Sequence, residues 1–171
     1  MTKYFALDRI DRSILRVLQS DGRITNADLA DAVALSPSAC LARVRRLEKE
    51  GVITGYKAQI DAARIDSNLT IFALMTLSKH DSKTSQKVER IMRGMPEVIE
   101  AFYTSGTTDY IARFIVPDMA YWSRLQESLL DNEELKIETI VSHFVMRDAK
   151  SYSGVPLYGD SIKEDKRTLP P

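Results

Sequence analysis

Arg43, Arg45 and Arg46 follow closely on Ser36-Pro37-Ser38. Guanidinium forks match phosphate oxygens and guanine edges, and serine hydroxyls add further bonds to a nucleic-acid backbone. A run of arginines alone also describes a solvated helix face, so the neighbouring signals decide. Ser36 is a good helix N-cap, and Pro37 suits the first helical position, where its missing N–H has no partner to lose. Cys40, Val44 and Leu47 then fall at i, i+4 and i+7, which predicts one buried stripe. Ser38, Ala39, Ala42, Arg43, Arg45, Arg46 and Lys49 are left on display, small near the start and basic further along. Upstream, Thr25 caps an earlier short helix carrying Ala27, Leu29, Ala30 and Val33, and Leu35 closes the corner. Two short helices joined by a tight turn present the second to the major groove of double-stranded DNA.

The elements that must position this helix are legible on both sides. Leu7, Ile10, Ile14, Leu15 and Leu18 predict a first helix over 7–20, with Asp8, Arg9, Asp11, Arg12 and Arg16 between the apolar positions and Asp21-Gly22 ending it. After Gly51, VITGYKAQI is rich in β-formers and predicts an extended strand, and 61–68 reads as a linker. The second half predicts a strand over 69–78, a helix over 82–94, strands over 97–104 and 109–116, a helix capped by Asp118, and a strand over 137–146. That βαββαβ order folds most economically as a ferredoxin-like four-stranded antiparallel sheet with both helices on one face, an α+β chain. Its strands carry apolar residues at both parities, as in Ile71 to Met75, so the uncovered face is expected to pair with that of a second copy. The expected segments are 1–54 for the DNA reader, 55–68 for strand and linker, 69–150 for the βαββαβ domain, and 151–171 for a loose tail. Val155, Leu157 and Tyr158 could pack a short extended piece of that tail.

The chain has 171 residues, 44% of them hydrophobic, and no net charge. That neutrality hides an asymmetry: residues 1–57 carry +3 and residues 58–171 carry −3, so the basic excess lies with the reader. Phosphate neutralisation supplies much of DNA affinity, so a module this weakly basic is expected to work as a dimer or larger assembly. No apolar run reaches the roughly 18 to 20 residues of a membrane span, and the charged N-terminus is unlike a signal peptide, which predicts a cytoplasmic protein. The one cysteine, Cys40, reads as a small buried hydrophobe.

LDRIDRSILRVLQSDGRIT, LADAVALSPSACLARVRRLEKEGVITGY and the later SGTTDY together resemble the Lrp/AsnC (leucine-responsive/asparagine-type, feast/famine) transcription regulators over about residues 5–150. The resemblance implies an N-terminal winged helix-turn-helix, a RAM-type βαββαβ domain that senses an amino acid or related small molecule, and homodimers assembled to octamers. No cofactor and no metal are expected. Carried onto this chain, Ser36, Pro37, Ser38, Ala39, Arg43 and Arg46 face DNA, and Asn26 touches the backbone. The family's effector loop maps onto Ser105, Gly106, Thr107, Thr108, Asp109 and Tyr110, where backbone N–H groups could take a carboxylate. Asp109 either accepts from an ammonium group or fixes the loop, and without the resemblance the stretch is an ordinary polar hairpin loop. The family's last strand often offers two hydroxyls, of which only Ser142 survives here, with Ile140 at the other position. The Pro-Gly turn common before that strand is also missing from Leu135-Lys136-Ile137-Glu138.

Siroheme decarboxylases resemble the same family, which makes an enzyme the rival reading. The only histidines, His80 and His143, are far apart in sequence, and no nucleophile elbow, phosphate loop or metal-spaced Cys/His cluster is present, so no catalysis is expected. A DNA-bridging architectural protein indifferent to small molecules is the other alternative.

Overall fold

The structure is a computed structural model that describes residues 5–66 and 68–157, so the expectations for Tyr158 and the rest of the tail lie outside the described residues. Contacts divide the chain into two units, one reaching Gln59 and resuming at Lys150, the other spanning Ile60–Ala149.

The first unit is built from α1 (Arg9–Ser20), α2 (Asn26–Ala32) and α3 (Pro37–Lys49). Every start is capped by the chemistry of its sequence. Asp8 accepts from the Asp11 N–H while the Asp11 carboxylate takes the Asp8 N–H, a reciprocal capping box. Thr25 accepts from Asp28 N, and Ser36 accepts from Ala39 N with Pro37 in the first turn. The ends use the left-handed closure. Gly51 (φ 71°) follows α3, its N–H bonding Glu48 O and the Val52 N–H bonding Leu47 O. The same pair of bonds closes α2 around Ala34 (φ 55°), with Ala34 N to Asp31 O and Leu35 N to Ala30 O. Ile14, Leu15, Leu29, Ala30, Cys40 and Leu47 form the core, and Val44 packs beside them.

One expectation fails in this unit. The extended strand expected over VITGYKAQI does not form: Val52 and Ile53 both donate to Leu47 O and pack on the helical core, and residues 56–60 have no ladder partner. The closure of α3 consumes the first β-formers, and the rest have no neighbouring strand to bond. For residues 151–157 of the tail, which form no regular element, the structure shows the packing left open for Val155 and Leu157. The Gln19 side chain donates to Val155 O (3.2 Å) and accepts from Val155 N (2.6 Å), Arg16 donates to Leu157 O (3.1 Å), and Leu157 joins the helical core.

The second unit contains β1 (Leu69–Leu77), α4 (Ser82–Gly94), β2 (Val98–Tyr103), β3 (Tyr110–Val116), α5 (Met119–Asp131) and β4 (Ile137–Phe144). It is the βαββαβ fold in α+β form: one antiparallel sheet in the order β2-β3-β1-β4. Alternation sorts the side chains. Ile71, Ala73, Met75 and Leu77 of β1 and Tyr110, Ala112, Phe114 and Val116 of β3 face the helices, where Val88, Met92, Trp122 and Leu129 cover them. The opposite parity presents Phe72, Phe102, Ile111, Ile115 and Val141 without a covering layer within the unit. Glu100, Arg113, Phe72 and His143 stand in register across the four strands of that face, and Arg113 Nε is buried there with no acceptor among the described residues.

Candidate nucleic-acid interface and effector loop

At roughly 100° per residue, Ser38, Ala42, Arg45 and Lys49 of α3 fall at i, i+4, i+7 and i+11 and point directly away from Cys40 and Leu47. All four are exposed, whereas Cys40 and Leu47 are completely buried. Ser36, Pro37 and Ala39 are exposed at the start of the helix, where Ser36 Oγ also lies 3.3 Å from Ser38 Oγ.

Arg43 and Arg46 occupy the flank and are not the free, displayed cations that the spacing suggested. Arg43 Nη1 bonds Asp8 Oδ2 (2.6 Å) and Asp11 Oδ1 (2.8 Å), and Arg46 Nη2 bonds Asp11 Oδ2 (2.6 Å). Asp11 is fully buried, and the Arg46 guanidinium also stacks over Phe5 at 5.4 Å. Burial of an unpaired carboxylate is prohibitive, so Asp11 demands both guanidinium partners. The bond from the Asp11 N–H and the bond from Arg43 hold the Asp8 carboxyl below its usual range, while the bonds to Asp8 and then Asp11 push Arg43 up. Asn26 likewise has an internal duty: its amide donates to Pro37 O (2.9 Å), tying α2 to the first turn of α3. Burial pushes the Cys40 thiol up, consistent with a packing role.

Sequence reasoning placed Arg45 and Lys49 among the displayed residues but carried only Arg43 and Arg46 into the DNA-facing set, and it read Asp11 as a polar position of the first helix without a partner. Helical phase opposite the buried stripe is the signal that favours Arg45 and Lys49 over Arg43 and Arg46 for the outward face.

The hairpin loop between β2 and β3 is tightly organised. Gly106 (φ 109°) turns it, Thr104 N donates to Asp109 O (2.8 Å), and Thr104 Oγ1 donates to Thr108 O (2.7 Å). Asp109 fixes this loop to β1 and beyond: Oδ2 accepts from Leu77 N (2.7 Å), and Oδ1 lies 3.0 Å from His80 Nδ1. The hairpin borders an open cleft of about 650 Å³ lined by Tyr103, Thr104, Ser105, Gly106, Thr107, Thr108 and Ile111. Tyr110 is buried, donates to Ser85 O and meets the Tyr103 ring at 5.2 Å. Ser142 does not line this cleft. It faces the helices from β4, accepting from Trp122 Nε1 (3.1 Å) and donating to Gln126 (3.0 Å). A second cleft of about 320 Å³, missed by sequence reasoning, lies where α4 meets the edge strand β2.

No helix among the described residues is long and apolar enough to cross a membrane. No group of three or more His, Cys, Asp or Glu among them is placed to hold a metal ion.

Residues 7–54 match the winged helix-turn-helix DNA-binding family, and residues 70–155 match the Lrp/AsnC ligand binding domain. The leucine-responsive regulatory protein of Escherichia coli K12 is 43% identical over 125 residues, 72% of this chain and 76% of that one. An AsnC family transcriptional regulator from Agrobacterium tumefaciens has the same fold, with a TM-score of 0.80 at 31% identity, covering 88% of this chain and 97% of that one. A transcriptional regulator from Neisseria meningitidis, solved as a complex with L-Met, gives 0.79 at 32% identity with the same coverage. The chain therefore belongs to the Lrp/AsnC family of DNA-binding transcriptional regulators, with an N-terminal helix-turn-helix and a C-terminal ligand-binding domain.

Proposed function

We propose that this regulator acts in the cytoplasm without catalysing a reaction, reads double-stranded DNA with α3, and adjusts its binding to an amino acid held at the 105–110 loop. The observation that carries the DNA reading is the outward stripe of Ser38, Ala42, Arg45 and Lys49, small where base edges approach and cationic where phosphates follow. Arg45 is the freest guanidinium of the helix and the first choice for a groove contact. Ser36, Pro37, Ser38 and Ala39 form the leading edge. Arg43 and Arg46 serve the flank, and Asn26 acts on DNA through its hold on the first turn of α3.

The loop reading rests on Gly106, whose turn leaves backbone N–H groups for a carboxylate, and on the methionine complex of the Neisseria relative. Asp109 is committed to Leu77 and His80, so its part is to hold Ser105, Thr107 and Thr108 in place rather than to meet an ammonium group directly. Ser142 joins only if an effector displaces its bonds to Trp122 and Gln126.

The uncovered sheet face supports a homodimer, with octamers built from it. Phe72, Phe102 and Val141 are too large and too close together to remain wetted, and the orphaned Arg113 Nε needs an acceptor that a second copy can bring.

The test uses a labelled duplex selected by the full chain from a randomised pool. Arg45→Ala should weaken binding by about 1 to 3 kcal/mol and relax preference at one position if the guanidinium is bidentate to a base. Unchanged affinity and preference would remove Arg45 from the interface. Each of the twenty amino acids should then be screened for a rise in Tm, because a ligand of the folded state stabilises it by mass action. A flat screen would favour the DNA-bridging alternative.

A further inference from the structure

We propose that Asp8 and Asp11 are positioning residues for DNA binding: they clamp one nitrogen of each of the Arg43 and Arg46 guanidinium groups so that the remaining N–H donors are held ready for phosphate oxygens beside α3. This inference rests on α3 being the DNA reader and names how its flank is armed.

The geometry carries it. An arginine side chain has five N–H donors in a planar fork. The bonds to Asp8 and Asp11 use Nη1 of Arg43 and Nη2 of Arg46. Nε and Nη2 of Arg43, and Nε and Nη1 of Arg46, carry no bond among the described residues. Neither side chain is sealed away, with 29% of Arg43 and 47% of Arg46 still exposed. Ala39, Arg43 and Arg46 lie along the same flank of α3 at i, i+4 and i+7, next to the outward stripe.

A free arginine on a helix surface would have to order its long side chain on meeting phosphate, an entropic cost that lowers affinity. Here the carboxylates have already met that cost during folding. Asp11 is anchored in turn by the Asp8 N–H and by complete burial, while Phe5 fixes the Arg46 plane from one side. The cluster is neutral as a whole, so its value to DNA binding lies in orientation and not in net charge.

That distinction gives opposite signs in one experiment. Asp8→Asn removes a negative charge beside the reader but keeps an N-cap side chain, and Asp8 is exposed, so the fold is retained. If the carboxylates merely neutralise the arginines, their removal should tighten DNA binding. If they position the arginines, it should loosen it. Affinity of the full chain is measured by anisotropy for a selected duplex and for a random one, across a salt series, with Asp11→Asn, Arg43→Lys and Arg45→Ala alongside and circular dichroism to check folding.

The expected result is a loss of about threefold to tenfold for Asp8→Asn on both duplexes, with a shallower salt slope as phosphate contacts are lost. Arg43→Lys should show a comparable loss despite keeping the charge, because an ammonium cannot engage a carboxylate and a phosphate with one rigid fork. Tighter or unchanged binding by folded Asp8→Asn overturns the positioning role, whatever Asp11→Asn does to stability. Loss of affinity by Asp8→Asn with an unaltered salt slope also overturns it. If Arg45→Ala leaves affinity untouched as well, the reading of α3 as the DNA helix falls with it; if Arg45→Ala alone weakens binding, that reading stands and only the clamp is refuted.

Discussion

Gly154→Ala tests whether the segment from Lys150 is part of the reader unit or a passenger on it. Gly154 has φ 96°, a conformation that costs a residue with a Cβ about 1 to 2 kcal/mol. An added Cβ would also stand 2.5 Å from Gln19 Oε1 and 2.7 Å from its Cδ, so the Gln19 amide must swing away. That swing breaks the two bonds it makes to Val155, each worth about 0.5 to 1.5 kcal/mol net. The total demand, about 2 to 5 kcal/mol, exceeds what so exposed a contact can supply, because Val155 is 57% exposed and only Leu157 enters the core. The loss is therefore capped at the free energy of docking: the segment detaches and the three helices stay folded. Amide hydrogen exchange reads this directly. Protection of the Val155 N–H should fall by as much as docking supplies, up to about thirtyfold or roughly 2 kcal/mol, to the level of an undocked segment, while the amides of α3 change little. Gln19→Ala should produce the same loss, and the double variant should add nothing further, since both remove one shared contact. Protection at Val155 that survives Gly154→Ala would refute the reasoning. So would additive effects of the two substitutions.

Three further outcomes follow from other parts of the molecule. The folded Asp8 carboxyl is depressed, so it adds stability that is present above its ordinary pKa and lost as pH falls through the lowered value; urea titrations should show the reader weakening below about pH 4, with a flatter acid limb in Asp8→Asn. Ala34 occupies the left-handed position that closes α2, and Ala34→Gly should raise stability by up to about 1 kcal/mol, read as a higher urea midpoint at constant slope; a lower midpoint would mean that chain entropy outweighs the relieved strain. Phe72→Glu places a charge at the centre of the uncovered sheet face, and if that face carries the proposed pairing the variant should lower the mass of the full chain in light scattering at micromolar concentration, since an interface phenylalanine contributes about 1.5 to 3 kcal/mol; an unchanged mass would refute pairing through this face.

The element order, the caps and the core faces were legible in the sequence because each depends on near neighbours. Thr25, Ser36 and Asp118 announce helix starts by satisfying N–H groups three residues on, and the strand segments between Leu69 and Phe144 are short runs of β-formers set between helix and turn signals. Combination of the LSPS turn with the R-x-RRLE run and the G-x-x-DY loop identified the family. The tertiary structure alone decided which charges are spent internally. Nothing in LDRIDR distinguishes Asp11 from a solvated acid until α1 and α3 pack and bring it 2.6 to 2.8 Å from two guanidinium groups thirty-odd residues away. The same holds for Asn26 and Pro37, for Asp109 and His80, and for Gln19 and Val155, pairs made by packing and invisible to any local pattern. Periodicity reports which way a side chain points, because backbone geometry is local. What it meets there depends on which distant segment the fold delivers.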